Sequence, residues 1–165
     1  MEQAIVIKLR PLTINDTDFM VALASNPDAS RYLPTLITNR QLMESWISGL
    51  ESTDHEFIVL LDDKEIGECS LTISTAHSAE IGFMLFPEYW GQGFGTAVVR
   101  ELLKKARQMS ISELTATTDA NNTAAIQLLT NFGFQKQNTG WMLALADDGN
   151  ELFGSQTIVQ FKRTM

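Results

Sequence analysis

The sequence predicts one α/β domain built on a mixed central sheet of about seven strands with about four helices, in the order βααβββαβαββ. Three observations carry that reading. Short alternating apolar runs recur along the chain and are interrupted by stretches with helical spacing. One stretch, "EIGFMLFPEYWGQGFGTAVVRELLKKARQ", passes from a strand through a glycine-rich turn into a long amphipathic helix. No linker, repeat or low-complexity segment divides the 165 residues, so they are read as a single domain, residues 1–165.

The elements follow in order. "AIVIKLRPL" reads as a first strand ended by Pro11, since proline cannot donate to a ladder. "TINDTDFMVALAS" carries Thr and Asp capping residues before Phe19 and Leu23, a short helix stopped near Pro27. In "TNRQLMESWISGL" the apolar residues Leu42, Trp46, Ile47 and Leu50 share one face, with Thr38 or Asn39 as cap. "EFIVLLD", the turn "DDKE" and "IGECSLTIS" form a hairpin by pattern. "AEIGFMLF" is a fourth strand. The helix after the glycines repeats its apolar positions at Phe94, Val98, Leu102, Ala106 and Met109. Lys104, Lys105 and Arg107 gather at its C-terminal end, where the helix dipole favours cations. "ELTATT" is a fifth strand. "NNTAAIQLLTNFGF" is a short helix with Asn122 near its cap and Gly133 as its stop. "WMLALADDGNELFGSQTIVQFK" reads as two last strands around a turn at 147–150.

Composition narrows the function. A net charge of −8 argues against a nucleic-acid partner, which would need a basic stripe to displace counterions. It is compatible with a cationic substrate such as an amine. No apolar run approaches the roughly 20 residues of a membrane span, and "MEQAIVIKLR" lacks the pattern of a signal peptide, so no membrane association is expected. A lone cysteine, Cys69, excludes an internal disulfide and suits a reducing, cytoplasmic setting. His55 and His77 are isolated and no Cys/His pair has ligand spacing, so no metal is expected.

The glycine loop carries the chemistry. The first turn of a helix leaves N–H groups without partners, and together with the dipole they form an anion site. Glycine at 91, 93 and 95 lets phosphate oxygens approach the backbone. No acidic residue stands between Gly91 and Arg100, so the place that Asp or Glu would normally fill is left for an anion. A P-loop needs Lys followed by Ser or Thr after its last glycine, whereas Gly95 is followed by Thr96 and Ala97. A dinucleotide fold needs G-x-G-x-x-G directly after a strand, but here the spacing is G-x-G-x-G and "PEYW" intervenes. From the loop alone, a glycine turn without a ligand stays open.

The combination "FMLFPEYWGQGFGTA", "TTDANNTAAIQLLTNFGF" and the earlier "NPDASRYLP" resembles the GNAT superfamily of acyl-CoA N-acyltransferases over roughly residues 5 to 135. It is most similar to the branch containing ribosomal-protein N-terminal acetyltransferases, where Trp-Gly-x-Gly replaces the Arg-Gly-x-Gly of other members. The resemblance implies acetyl-CoA as cosubstrate and an amine as acceptor, and it is compatible with a homodimer. It places the cofactor arm on backbone groups of Phe83, Met84 and Leu85. It places the pyrophosphate on the amides of Gly91, Gln92, Gly93, Phe94, Gly95 and Thr96, and it gives Asn122 a contact to the arm. A plain helix cap is the competing role for Asn122.

Glu80 is the candidate base. Alternation sets it on the face opposite Ile81, Phe83 and Leu85, and it matches a glutamate of the resembled branch. An ammonium near lysine's pKa of about 10.4 must lose a proton before it can attack, while an N-terminal amine at about 7.7–8.0 needs less help. Glu68 on the preceding strand is an alternative. For the general acid, relatives place a tyrosine where this chain has Leu129, or a serine where it has Ala125. The chain departs from the pattern at both positions. The expectation is transfer of acetyl directly to a primary amine, a peptide N-terminus or a small molecule; the alternative is a non-catalytic acyl-CoA-binding module.

Overall fold

In the computed structural model the structure describes residues 4–33, 36–145 and 152–165. Seven strands form one sheet in the order β1-β2-β3-β4-β5-β7-β6. They are β1 (Lys8–Pro11), β2 (Asp54–Leu61), β3 (Lys64–Thr75), β4 (Ser78–Leu85), β5 (Glu113–Asp119), β6 (Gln135–Leu145) and β7 (Leu152–Thr164). The helices are α1 (Thr17–Ser25), α2 (Arg40–Ser48), α3 (Phe94–Gln108) and α4 (Thr123–Asn131). The element order is the one the sequence predicts, and the sheet is mixed: β4 and β5 run parallel and every other neighbouring pair is antiparallel.

Alternation along β2 divides the molecule into two apolar layers. Phe57 and Val59 turn to the face covered by α3, where Val98, Val99, Leu102, Leu103 and Ala106 are buried. Ile58, between them, turns to the other face, where Met20, Ala24, Met43 and Ile47 of α1 and α2 close over it. Each buried Val or Leu contributes about 1.5–3 kcal/mol, so the α3 face alone is a substantial anchor for the loop that precedes it. A one-turn helix at Ile14–Asp16 leads into α1. There Asp16 accepts from the Thr13 amide at 2.8 Å and from both Arg10 Nη atoms at 2.9 Å. At α2 the cap is Asn39, whose Oδ1 accepts from the Leu42 amide at 3.1 Å.

Two boundaries differ from the sequence reading. β1 begins at Lys8, and residues 4–7 run alongside the glycine loop, with Ile7 buried and Ile5 packed on the core. β6 begins at Gln135, well before Trp141. It is an edge strand paired only with β7, and the exposed residues 135–140 carry no apolar alternation to announce it. The expected turn at 147–150 lies outside the described residues. Among the described residues no helix is long and apolar enough to cross a membrane.

Candidate active site

The parallel ladder between β4 and β5 has only three pairs: Ser78 with Glu113, Ala79 with Leu114, and Glu80 with Thr115. Beyond Glu80 the strands separate. β4 continues to Leu85 on its β3 partner, and β5 continues to Asp119 on its β7 partner. The backbone groups that each strand turns toward the other therefore lose their ladder partners, and a strand edge opens on each side of a wedge. A cavity of about 650 Å³ fills this wedge.

Four walls enclose it. Glu80 to Leu85 form one side, and Ala116, Thr117, Thr118 and Asp119 form the other. Asn122 to Ala125, with Leu128 and Leu129 of α4, close the end, and Tyr89, Trp90, Gly91, Gly93, Gly95 and Thr96 lead out to the start of α3. Asp28, Ala29, Arg31, Tyr32 and Leu33, from the segment after α1, form the fourth wall. In the sequence this segment, "NPDASRYLP", stands only among the stretches that carry the family resemblance. Arg31 Nη2 bonds Asp28 Oδ1 at 2.6 Å, and the Tyr32 hydroxyl together with that carboxylate holds the guanidinium pKa above its ordinary value.

The glycine loop presents amides outward. Gly91 has φ +69 and Gly93, the residue before the first helical turn, has φ +89; both lie in the left-handed region that side chains rarely adopt. The first turn of α3 contains no acidic residue. A Cβ at Gly91 would meet nothing within 4 Å, whereas one at Gly93 would meet Ile5 Cδ1 at 3.0 Å. Gly95 differs: a Cβ there would meet Leu128 Cδ2 at 3.2 Å and the Phe83 ring. A glycine at 95 thus also suits the close packing of the α3 start on Leu128 of α4 and Phe83 of β4, a reason the loop motif alone did not show. A second hollow of about 530 Å³ beside the loop is lined by Ala4, Ile5, Gln92, Gly93, Thr96, Ala97 and Arg100, which adds a cation next to the exposed amides. These features fit a ligand with a diphosphate at the loop and an extended arm along the wedge.

The remaining sequence candidates occupy distinct places. Glu80 is exposed between the buried residues Ala79 and Ile81 and lines the cavity at the point where the ladder ends. Phe83 and Met84 line the wedge. Leu85 also does so, but its carbonyl already accepts from Trp90 Nε1 at 2.9 Å. Gln92 is exposed, and its Nε2 donates to the Glu88 carbonyl. The Phe94 ring packs edge-on to Tyr89 with centroids 5.7 Å apart. Asn122 Oδ1 caps α4 by accepting from the Ala125 amide at 3.2 Å, and the residue also lines the cavity. Ala125 and Leu129 both face the cavity, so the positions lacking a proton donor are cavity-lining positions. Hydroxyl-bearing residues in the lining are Tyr32, Thr96, Thr117, Thr118 and Thr123.

Glu68 belongs elsewhere. It stands opposite Met84 on β3, diagonal to Glu56 of β2, and does not line the cavity. Burial, and then the Glu56 charge, push its carboxyl up to about 8. Glu56 is pushed up to about 7 by burial and then by Asp54. Cys69 is fully buried in the core, and burial raises its thiol well above the ordinary value, which leaves it inert.

Comparison with known proteins matches residues 7–135 to the acetyltransferase (GNAT) domain. The chain belongs to the GNAT acetyltransferase family. An uncharacterised N-acetyltransferase, p20, from Bacillus licheniformis is 26% identical over 142 residues, covering 79% of this chain and 80% of that protein. Among solved structures, a spermidine N-acetyltransferase from Vibrio cholerae in complex with CoA and spermine superposes with a TM-score of 0.79 at 18% identity, covering 96% of this chain and 95% of that one. A ribosomal-protein-alanine N-acetyltransferase from Brucella melitensis gives 0.74 at 19% identity, covering 96% and 99%. These structural likenesses establish the GNAT fold. The ribosomal-protein branch is one neighbour among several.

Proposed function

We propose that this GNAT protein moves an acetyl group from acetyl-CoA directly to a primary amine, with Glu80 as the base. The observation that carries the proposal is the wedge between β4 and β5, which opens at Glu80 and runs without interruption to the amides before α3. Acetyl-CoA, when bound, supplies an acyl carbon activated as a thioester. The edge of β4 beyond Glu80 offers unpaired backbone groups to an extended arm, and N–H groups there can meet negative charge developing on the carbonyl oxygen. The amides of residues 91–96 would hold the diphosphate, with Arg100 beside them.

Glu80 lies where an incoming amine must pass to reach the wedge. A carboxylate there stabilises the ammonium on entry and takes its proton, directly or through water. Asp28 and Arg31 offset each other as an ion pair, and Asp119 joins Glu80 in leaving the cavity lining net negative, which supports a cationic acceptor. The Trp90-Gly91-Gln92-Gly93 motif supports likeness to the ribosomal-protein branch, so the acceptor is proposed as a peptide N-terminus or a small amine.

A non-catalytic acyl-CoA-binding role is the second reading, favoured by Ala125 and Leu129, which leave the two positions where relatives carry a donor without one for the departing thiolate. The loss is tolerable in an enzyme: a thiol pKa near 8.5 makes thiolate an acceptable leaving group, and general acid catalysis contributes only about 10²–10⁴-fold. Thiol release from acetyl-CoA with a panel of amines, including peptides of varied first residue, separates the two readings.

A further inference from the structure

Trp90 is placed unlike the residues around it. It follows the single turn Pro87–Tyr89 in extended conformation and immediately precedes the glycine loop. The residue is 45% exposed and lines the cavity, so burial does not account for a tryptophan there. Its Nε1 donates to the carbonyl of Leu85, the last residue of β4, at 2.9 Å. Leu85 is otherwise held by its pairing with Gly67 of β3, and the next amide, Phe86, donates to the Ile66 carbonyl at 3.0 Å. The side chain that opens the glycine loop therefore closes the strand end, bridging the five-residue step between them.

We infer that Trp90 is a positioning residue: its indole N–H fixes the span between the strand edge of β4 and the amide cradle of the glycine loop, so that one ligand can engage both at once. The inference rests on the acetyl-CoA reading above. A ligand anchored at two sites gains affinity from their fixed separation, because the second contact forms at high effective concentration. A span that drifts loses this gain while each anchor keeps its own strength. The same bond occupies one of the two lone pairs of the Leu85 carbonyl at the end of the strand edge.

The test compares Trp90→Phe, which keeps an aromatic ring and removes the donor, with Trp90→Ala. CoA and its two halves, pantetheine and adenosine 3′-phosphate 5′-diphosphate, are titrated by calorimetry or by chemical-shift changes, alongside melting temperature. A lost hydrogen bond corresponds to about a three- to tenfold change. The expected result is a loss of that size in CoA affinity for both variants, with each half bound within about twofold of the parent. In turnover, KM for acetyl-CoA rises while kcat at saturation stays within about twofold. Unchanged CoA affinity in Trp90→Phe overturns the assignment. So does an equal loss for the nucleotide half alone, which would make the ring a direct contact, or a loss in Trp90→Ala that Trp90→Phe does not share. Parent protein that binds neither CoA nor either half overturns the acetyl-CoA reading itself.

Discussion

Glu80 and Thr115 form the last pair of the parallel ladder, so the one carboxylate on β4 stands where the two strands part. A base placed there meets the amine at the mouth of the wedge and has solvent on its other side to receive the proton. Glu80→Gln keeps the size of the side chain and removes its basicity. Turnover is expected to fall at least about tenfold at pH 7, with acetyl-CoA affinity unchanged. The deficit shrinks toward pH 9.5, where free amine forms without help. A pH–rate profile checks this; equal deficits at both ends would assign Glu80 a binding or structural role.

The glycines separate two kinds of requirement. At Gly93, a β-branched residue faces φ +89 and Ile5 at 3.0 Å, and it stands in front of the outward amides. Gly93→Val is expected to weaken CoA binding at least about tenfold, with backbone strain of about 1–3 kcal/mol. Gly95→Ala presses instead on Leu128 and Phe83. Its main effect is a lower melting temperature, from overpacking of about 1–3 kcal/mol. Calorimetric titration beside thermal melts distinguishes them; CoA affinity lost only in the Gly95 variant would contradict the division.

Much of this was legible in the sequence. Period-two and helical patterns gave the seven strands and four α-helices their type and order, because most of them bury one face: Phe57 and Val59 against Ile58 on β2, Val98 and Leu102 on α3. The glycine loop was readable because glycines placed just after a strand end are themselves the signal, and alternation set Glu80 off from its apolar neighbours Ala79 and Ile81. Gln135 to Thr139 were not, since an exposed edge strand has no apolar face to reveal it. Nor was the wedge, because where a parallel ladder stops depends on which partner each strand keeps. The Trp90 bond to Leu85 and the packing role of Gly95 also require neighbours brought together by folding. Glu68, an alternative base in the sequence reading, lies diagonal to Glu56 of the neighbouring strand, a placement that no spacing within either strand announces.

That pair makes stability depend on pH. Neither carboxyl has a hydrogen bond or ion pair among the described residues, and both are raised, Glu56 to about 7 and Glu68 to about 8. A carboxyl whose folded pKa is raised is accommodated as the neutral acid. Its contribution is intact below the unfolded value near 4.3 and declines as pH rises through the folded value. Melting temperature is therefore expected to fall from about pH 5 to pH 9. Glu68→Gln should match the parent at pH 5 and exceed it at pH 9. A parent curve that rises across that window would contradict the burial of these groups as neutral acids.

The missing donor on α4 can be restored. Ala125 lines the cavity one turn into the helix capped by Asn122. Ala125→Ser adds one hydroxyl at a helix-propensity cost below about 0.7 kcal/mol. Acetyl-CoA affinity should be unchanged, and turnover should rise at pH 6–7 and converge with the parent above the thiol pKa of about 8.5. An identical rate across the range would mean that protonation of the leaving thiolate is not limiting, or that Thr123 or a water already supplies the proton.

The most direct test is mass spectrometry of amine acceptors incubated with acetyl-CoA, run in parallel with detection of the freed thiol. The panel should span peptides of varied first residue, polyamines and amino acids. The account predicts one acetyl group gained by at least one primary amine, matched by an equal quantity of thiol and reduced at least about tenfold in Gly93→Val at subsaturating acetyl-CoA. Tight CoA binding with no acetylated amine and no thiol above background, across the whole panel, would contradict it and leave a binding module in place of an enzyme.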